Sequence, residues 1–286
     1  MDYFLIFGLH VQSRLMVMIM KNYRTKKAIY TEDGTLLLAA GQELTEEILM
    51  KLEMIKHKKL TDIVNSKDLQ KKDTIIEISN QIQESYKILG GKVVSEASDI
   101  VARIIFELKD QPWWLHINAL SNYVDWLYAH SVNVSIISTM LAGALSLEAQ
   151  RESIALGALL HDIGMLMIPK SVLQKNRMLA SEDQKLINQH CDLGVSMLSG
   201  YDLNQIGLEI IHQHHERLDG SGYPLGLRGD QIPMHSKIVM IADVLDATTS
   251  YRPYRPSKSI ETALKELSEA KVKYPQDIID AFTAFI

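Results

Sequence analysis

The sequence predicts a small mixed α/β module at the N-terminal end, followed by an all-α helical bundle in the C-terminal part. From about residue 116 onward, apolar residues recur at helical spacing in one segment after another, without convincing strand alternation. Before residue 65, two short β-prone runs surround an Asp-Gly pair. The 286 residues, 47% hydrophobic and 23% charged, are typical of a folded chain, and the length suggests about two domains.

The N-terminal module is predicted over residues 1–65. Residues 27–30 and 35–38 favour two strands, and the Asp-Gly pair between them favours a tight turn. A helix is expected over residues 45–55, because a threonine can cap it and two glutamates follow in its first turn. Residues 66–115 are polar, with isoleucines at near-helical spacing, and we interpret them as a helical connector through which the chain forms a homodimer.

The helical bundle is predicted over residues 116–286. Apolar residues recur there every three or four positions, which is the pattern of amphipathic helices. The predicted helices cover residues 127–147, 154–160, 181–198, 203–215, 238–247, 257–270 and 275–285. In such a bundle, inward side chains from several facing helices can meet at one centre.

Composition argues against several classes of function. The formal net charge is −5, whereas proteins that bind nucleic acids are more often basic, so no large nucleic acid is expected as a partner. Cys191 is the single cysteine, which excludes an intrachain disulfide and cysteine-rich zinc modules. No secretory signal is recognisable, and no apolar run reaches the roughly 20 residues that span a bilayer. We therefore expect a cytoplasmic protein without a transmembrane segment.

Histidines are concentrated in the predicted bundle, where eight of the ten lie between His116 and His235. The pair His161-Asp162 ends an apolar helix, and although adjacent helical side chains diverge by about 100°, both can reach one ion near the helix end. Other predicted helices carry His130, His190, His214, His215 and Asp243. Because a buried lone carboxylate is costly unless it is paired or coordinated, these residues predict a metal centre shared by five helices.

These residues and the stretches around them resemble the HD-GYP family, a branch of the HD superfamily of metal-dependent phosphohydrolases. The resemblance covers about residues 118–286 and includes the runs 214–224, 226–233 and 252–255, of which the first contains Gly-Tyr-Pro. It implies that the C-terminal bundle has the HD-type helical fold. Residues 16–64 also resemble a module that is often found ahead of HD-GYP domains.

The resemblance implies a phosphodiesterase that hydrolyses cyclic-di-GMP to linear pGpG, with GMP as a further product, by a metal-activated hydroxide. It implies seven metal ligands: His130, His161, Asp162, His190, His214, His215 and Asp243. Of these, His161 and Asp162 form the catalytic pair, and Asp162 bridges the metals. Two divalent ions per chain are expected, with iron or manganese favoured and zinc, nickel or magnesium as alternatives.

The family pattern also indicates residues around the metals. The expected substrate contacts are Arg252, Arg255, Lys237, Tyr223, Gly222 and Pro224. The carboxylates expected behind the ligands are Glu216, Asp219 and Asp246. Glu216 either hydrogen-bonds a ligand imidazole or caps the Gly-rich loop, and Tyr223 either stacks on a base or mediates a protein contact. A diguanylate cyclase or another signalling protein is an expected partner of the Gly-Tyr-Pro loop.

Two positions depart from the family pattern. The family commonly has a lysine where this chain has Met165, so a cation near the phosphate is missing, which favours lower activity or a different substrate preference. Members with three metals carry a glutamate where this chain has Trp126, and the adjacent Asp125 is rotated by about 100° around the helix. We therefore expect two metals rather than three. The alternatives are a catalytically weak receptor of cyclic dinucleotides and a hydrolase of another cyclic dinucleotide, such as cyclic GMP-AMP.

Overall fold

A computed structural model describes residues 29–30, 36–38, 74–82, 84, 86, 91–108, 110–175, 179–250 and 257–284. The chain divides into two compact units, Met1–Leu69 and Gln70–Ile286. Within the described residues, no helix is both long enough and apolar enough to cross a lipid bilayer.

The first unit contains two short strands, β1 (Ile29–Tyr30) and β2 (Leu36–Leu38). They pair antiparallel, with Ile29 opposite Leu38, and both lie within the segments predicted as strands. The helix expected over residues 45–55 falls outside the described residues. The mixed α/β module as a whole therefore stays a prediction.

The second unit is helical throughout its described part, which confirms the predicted all-α class for this region. Residues 74–82 are helical. The helices that follow are α1 (Gly91–Phe106), α2 (Trp114–Leu120), α3 (Asp125–Ala144), α4 (Arg151–Leu160), α5 (Lys170–Leu173), α6 (Ser181–Asn188), α7 (His190–Leu198), α8 (Gln205–Gln213), α9 (Met234–Thr249), α10 (Ile260–Glu269) and α11 (Gln276–Thr283). Short 3₁₀ helices cover Glu148–Gln150, Ile163–Met167 and Gly229–Gln231.

Helix α3 lies at the centre of this unit and packs against α1, α4 and α9. Every residue from 130 to 142 is buried, as expected for a helix that is apolar on all sides. The polar residues in this stretch are mostly small and use local partners: Ser135 Oγ donates to Ala155 O at 2.7 Å, and Thr139 Oγ1 donates to Ser135 O at 2.6 Å. The buried helix therefore holds His130 at a fixed place inside the bundle.

The prediction of a single helix over residues 181–198 is wrong in one respect. The structure has two helices here, α6 and α7, separated by a break at Gln189. The backbone N–H of Gln189 bonds three residues back, to Leu186 O, which tightens the end of α6. The imidazole Nδ1 of His190 donates to Ile187 O at 2.7 Å and so competes with the helix for that carbonyl. The hydrogen bond from the His190 side chain to Ile187 O thus accompanies the break between α6 and α7.

The start of α7 packs closely against the 3₁₀ helix that follows α4. A Cβ atom at Gly164 would collide with the carbonyl oxygen of His190 and would lie 2.7 Å from Gly194 N. Only glycine allows this approach of two backbones. The contact places the end of α4, which carries His161 and Asp162, beside the first residue of α7.

Candidate metal centre

His161 follows the last residue of α4 and is completely buried. Its Nδ1 atom donates to Ala158 O at 2.7 Å, so Nε2 keeps its lone pair. That Nε2 atom is buried without a hydrogen-bond partner in the structure. Buried polar atoms are nearly always satisfied, so this orphaned nitrogen is a natural position for a metal ligand.

His190 and His214 repeat the same arrangement from two other helices. His190 Nδ1 donates to Ile187 O at 2.7 Å, and His214 Nδ1 lies 3.1 Å from Ile210 O and from Ile211 O. Because both Nδ1 atoms are engaged by carbonyls, both Nε2 atoms present lone pairs, and these atoms lie 3.2 Å apart. Two facing lone pairs at this distance repel each other unless a cation lies between or beside them.

His130 is held by two carboxylates on α9. Its Nδ1 atom lies 2.5 Å from Asp246 Oδ2, and its Nε2 atom lies 3.2 Å from Asp243 Oδ1. Histidines that bind metals usually donate their other ring N–H to a carboxylate or carbonyl, which fixes their orientation. Asp246 therefore lies behind His130, a candidate ligand.

His215 differs from the other four histidines, because its Nδ1 atom faces the centre and lies 3.7 Å from Asp243 Oδ2. The ring of Tyr223 packs against it, with centroids 4.7 Å apart and planes inclined by 30°. The side chain of His215 remains 20% exposed. This is consequently the edge at which the centre is open to solvent.

All seven residues predicted as ligands come together in two groups, and within each group the potential ligand atoms lie within 4.8 Å of one another. One group consists of His130, His161 and Asp243. The other consists of Asp162, His190, His214 and His215. Histidine nitrogens with carboxylate oxygens and no thiolate form a donor set that suits divalent iron, manganese or zinc.

Two carboxylates face both groups. Asp162 turns Oδ2 towards His161 Nε2, at 3.5 Å, and Oδ1 towards His190 Nε2, at 3.2 Å. Asp243 likewise turns Oδ1 towards His130 and Oδ2 towards His215. A bridging position was expected for Asp162 alone. The double role of Asp243 depends on how α9 packs against its neighbours, and no signal in the sequence identifies it.

Electrostatics keep most of the imidazoles neutral. Burial lowers the pKa of His161, and burial together with neighbouring imidazoles lowers the pKa of His214 well below its usual value. Burial lowers the pKa of His215 to about 3. Neutral imidazole is the form that binds a metal, so these rings are ready to coordinate at neutral pH.

The carboxylates are ionised, and they charge His130 in the absence of metal. Burial acts to lower the pKa of His130, but hydrogen bonds to Asp243 and Asp246 raise it to about 10. Burial acts to raise the pKa of Asp162 and Asp243, but nearby histidines lower both, and the pKa of Asp243 lies well below its usual value. The centre thus concentrates negative charge that a divalent cation would neutralise.

Glu216, which follows the candidate ligand His215 in the chain, binds the Gly-Tyr-Pro loop by hydrogen bonds. Its fully buried carboxylate accepts hydrogen bonds from the backbone N–H groups of Leu225 (2.7 Å), Gly226 (3.1 Å) and Leu227 (3.0 Å). Of the two roles considered for Glu216, the structure shows the capping of the loop. At Gly222, a Cβ atom would lie 2.5 Å from Arg217 N, so this close packing requires glycine.

Of the other predicted substrate contacts, the structure describes Tyr223, Pro224 and Lys237. The Tyr223–Pro224 peptide bond is cis. Lys237 Nζ lies 3.7 Å from Oδ1 of the exposed Asp230. Asp219 Oδ1 accepts from Ser221 N at 2.9 Å, so this carboxylate shapes the loop by a local hydrogen bond. Arg252 and Arg255 lie outside the described residues.

The two positions that depart from the family pattern lie next to the centre. Met165 is 7% exposed and belongs to the apolar core. The Trp126 ring lies one helical turn before His130, with centroids 6.3 Å apart. Cys191 is fully buried, and its Sγ atom lies 3.4 Å from His190 Nε2. Burial raises the pKa of this thiol, so it is a poor source of thiolate.

Comparison with protein families gives one match that covers most of the helical unit. The model of the HD domain family matches residues 114–278, which is more than half of the chain. The matched region contains all seven candidate ligands.

Two curated relatives illustrate the similarity. A protein of Thermotoga maritima named cyclic di-GMP phosphodiesterase is 37% identical over 171 residues, which are 58% of this chain and 46% of the relative. A protein of Vibrio cholerae named 3′3′-cGAMP-specific phosphodiesterase 1 is 37% identical over 155 residues, which are 51% of this chain and 35% of the relative. The matched parts span less than half of the length of each relative.

A solved structure shows the same fold. Bd1817, described as a HDG"Y"P protein from Bdellovibrio bacteriovorus, is similar with a TM-score of 0.50 and 22% identity. The alignment covers 92% of this chain and 94% of that protein. At this identity the likeness establishes the helical fold alone.

Proposed function

The chain belongs to the HD domain family, and on this premise we propose that it is a metal-dependent phosphodiesterase that hydrolyses cyclic-di-GMP to linear pGpG, with GMP as a further product. The observation that carries this proposal is the pair of His/Asp groups joined by Asp162 and Asp243. Similarity to proteins named cyclic di-GMP phosphodiesterases supports the choice of substrate.

We assign one divalent ion to each group, with iron or manganese favoured by the mixture of imidazole and carboxylate donors. Two such ions supply Lewis acidity, which activates water and neutralises charge on a phosphodiester. The protein's own part is to hold the ligands in place. Carbonyls and carboxylates fix one nitrogen of each of four imidazoles, so that little reorganisation is needed on binding.

The substrate would enter at the solvent-exposed edge beside His215, where Tyr223 and the loop held by Glu216 lie. We keep Tyr223, Gly222, Pro224 and Lys237 as proposed contacts, together with the two arginines Arg252 and Arg255. Arginine suits this role because its guanidinium can bind phosphate in a bidentate manner and stack on a base.

The proposal is tested by incubating Mn²⁺-loaded protein with cyclic-di-GMP and separating the products by chromatography. We expect pGpG to accumulate. A variant with both His161→Ala and Asp162→Ala serves as the control and should show no turnover and reduced metal content. Unchanged turnover in this variant would reject the site, and an intact substrate with wild-type protein would reject the activity.

A second candidate is favoured by specific observations. Relatives named 3′3′-cGAMP-specific phosphodiesterases match about half of the chain, and the buried Met165 stands where the family commonly has lysine. The same assay with 3′3′-cGAMP decides between the two substrates by their ratio of kcat/KM. Tight binding of cyclic-di-GMP without any product would instead identify a receptor.

A further inference from the structure

Tyr86 lies ahead of the region that matches the HD domain and is buried, with 4% of its surface exposed. Its hydroxyl lies 2.9 Å from Thr249 Oγ1. Because Thr249 Oγ1 donates to Leu245 O at 2.8 Å, the tyrosine O–H is the donor to Thr249. The ring of Tyr86 also meets Phe282 edge to face, with centroids 5.8 Å apart. Tyr86 is thereby anchored on the last turn of α9.

The same turn of α9 carries the carboxylate that orients His130. Asp246 is 1% exposed and is held on both sides. Its Oδ2 atom lies 2.5 Å from His130 Nδ1, and its Oδ1 atom accepts from Ser250 Oγ at 2.6 Å. A movement of this turn would therefore move Asp246 and, with it, the imidazole of His130.

A small polar cavity of about 20 Å³, enough for roughly one water molecule, lies between Gln81, Ile82 and Tyr86, helix α3 and the end of α9. Its walls include Tyr86, Asn133, Asp246 and Thr249. The side chains on this side of the last turn of α9 thus leave a small gap. The hydrogen bond between Tyr86 and Thr249 crosses from the preceding segment to α9 beside this gap, and it links the two directly.

We infer that Tyr86 is a positioning residue for the metal centre: it fixes the last turn of α9 through Thr249, and that turn fixes the carboxylate that orients His130. The inference rests on the metal centre of the proposed function. The segment ahead of the HD domain can then affect the metal centre, because a displacement of Tyr86 would change the orientation of His130.

The test is a double-mutant cycle with Tyr86→Phe and Thr249→Val, in which Mn²⁺ affinity is measured by titration calorimetry. Each single change removes the inter-segment hydrogen bond and keeps most of the side-chain volume. We expect each to weaken Mn²⁺ binding by about 3- to 10-fold, a size typical of changes along a coupling network. The double variant should lose no more than either single one. Unchanged affinity, or two losses that simply multiply, would overturn the inference.

Thr283→Val is the matched control, because Thr283 Oγ1 donates to Ile279 O at 2.8 Å, as Thr249 Oγ1 does to Leu245 O. It should leave Mn²⁺ affinity unchanged, and an equal loss in this variant would show a general effect of helix stability. Calorimetry does not require turnover. Weakened Mn²⁺ binding in a protein that leaves cyclic-di-GMP intact would therefore support the role of Tyr86 while contradicting the proposed function.

Discussion

At the residue scale, Asp162 is the side chain on which both proposed metal positions depend, because each of its oxygens faces a different group. We expect Asp162→Ala to reduce turnover by more than the roughly 10- to 100-fold that changes behind a ligand cost. The bound metal should fall below one ion per chain, as measured by mass spectrometry of the metal content. Asp192→Ala, which removes an exposed carboxylate, is the control and should change neither quantity.

The charge on His130 predicts a pH dependence of metal binding. Since hydrogen bonds to Asp243 and Asp246 raise the pKa of His130 to about 10, the metal-free ring is protonated at pH 7 and must lose a proton to coordinate. His161, His214 and His215 have lowered pKa values and release none in this range.

Affinity for Mn²⁺ should therefore rise with pH, by about tenfold per unit between pH 7 and 9, with release of about one proton. Calorimetry in buffers of different ionisation enthalpy measures this number. Release of no proton at pH 7.5 would contradict the assigned charge state.

Much of the candidate site could be predicted from residue types. The His161-Asp162 pair and a lone carboxylate at Asp243 in an apolar helix both indicated coordination, since burial of these groups otherwise costs free energy. The residue types left two roles open for Glu216, and the second contact of Asp243 depends on distances between helices. Such distances are set by packing and leave no trace in local sequence.

At the element scale, the close approach of the 3₁₀ helix to α7 should be sensitive to a single methyl group. We expect Gly164→Ala to lower the free energy of unfolding by about 1–3 kcal/mol, since its Cβ atom would strike the His190 carbonyl. It should also weaken metal binding, because Asp162 and His190 would move apart. Urea denaturation and calorimetry provide the two measurements.

Gly143→Ala is the matched control on α3. The nearest atom to its Cβ is the flexible guanidinium end of Arg151, at 3.3 Å, which can move aside. Alanine is a better helix former than glycine by about 1 kcal/mol, so this change should leave stability equal or higher. A loss of stability at Gly143 as large as that at Gly164 would count against the contact proposed here.

The helices themselves were largely predictable, because apolar periodicity reports which face is buried. The residues at which the helices begin and end were harder to predict. The break at Gln189 depends on a side-chain hydrogen bond from His190 to Ile187 O, and the start of α9 at Met234 lies four residues before the predicted one. These features depend on local polar bonds and on tertiary packing, to which hydrophobic periodicity is insensitive.

At the scale of the whole molecule, one helical unit brings together ligands from α3, α7 and α9 and from the residues that end α4 and α8. The family resemblance, carried by the HD pair and the Gly-Tyr-Pro stretch, is confirmed by the match of residues 114–278 to the HD domain family. We propose two metals rather than three, because the Trp126 ring packs beside His130 at the position where members of the family with three metals carry a glutamate.

The most direct test of the account is the number of metal ions bound per chain. Protein loaded with Mn²⁺ or Fe²⁺ and then freed of excess metal should contain two ions per chain by mass spectrometry of the metal content. We propose this value because the potential ligands form two His/Asp groups, both faced by Asp162 and Asp243. A reproducible count of one or of three ions per chain would contradict the dinuclear centre.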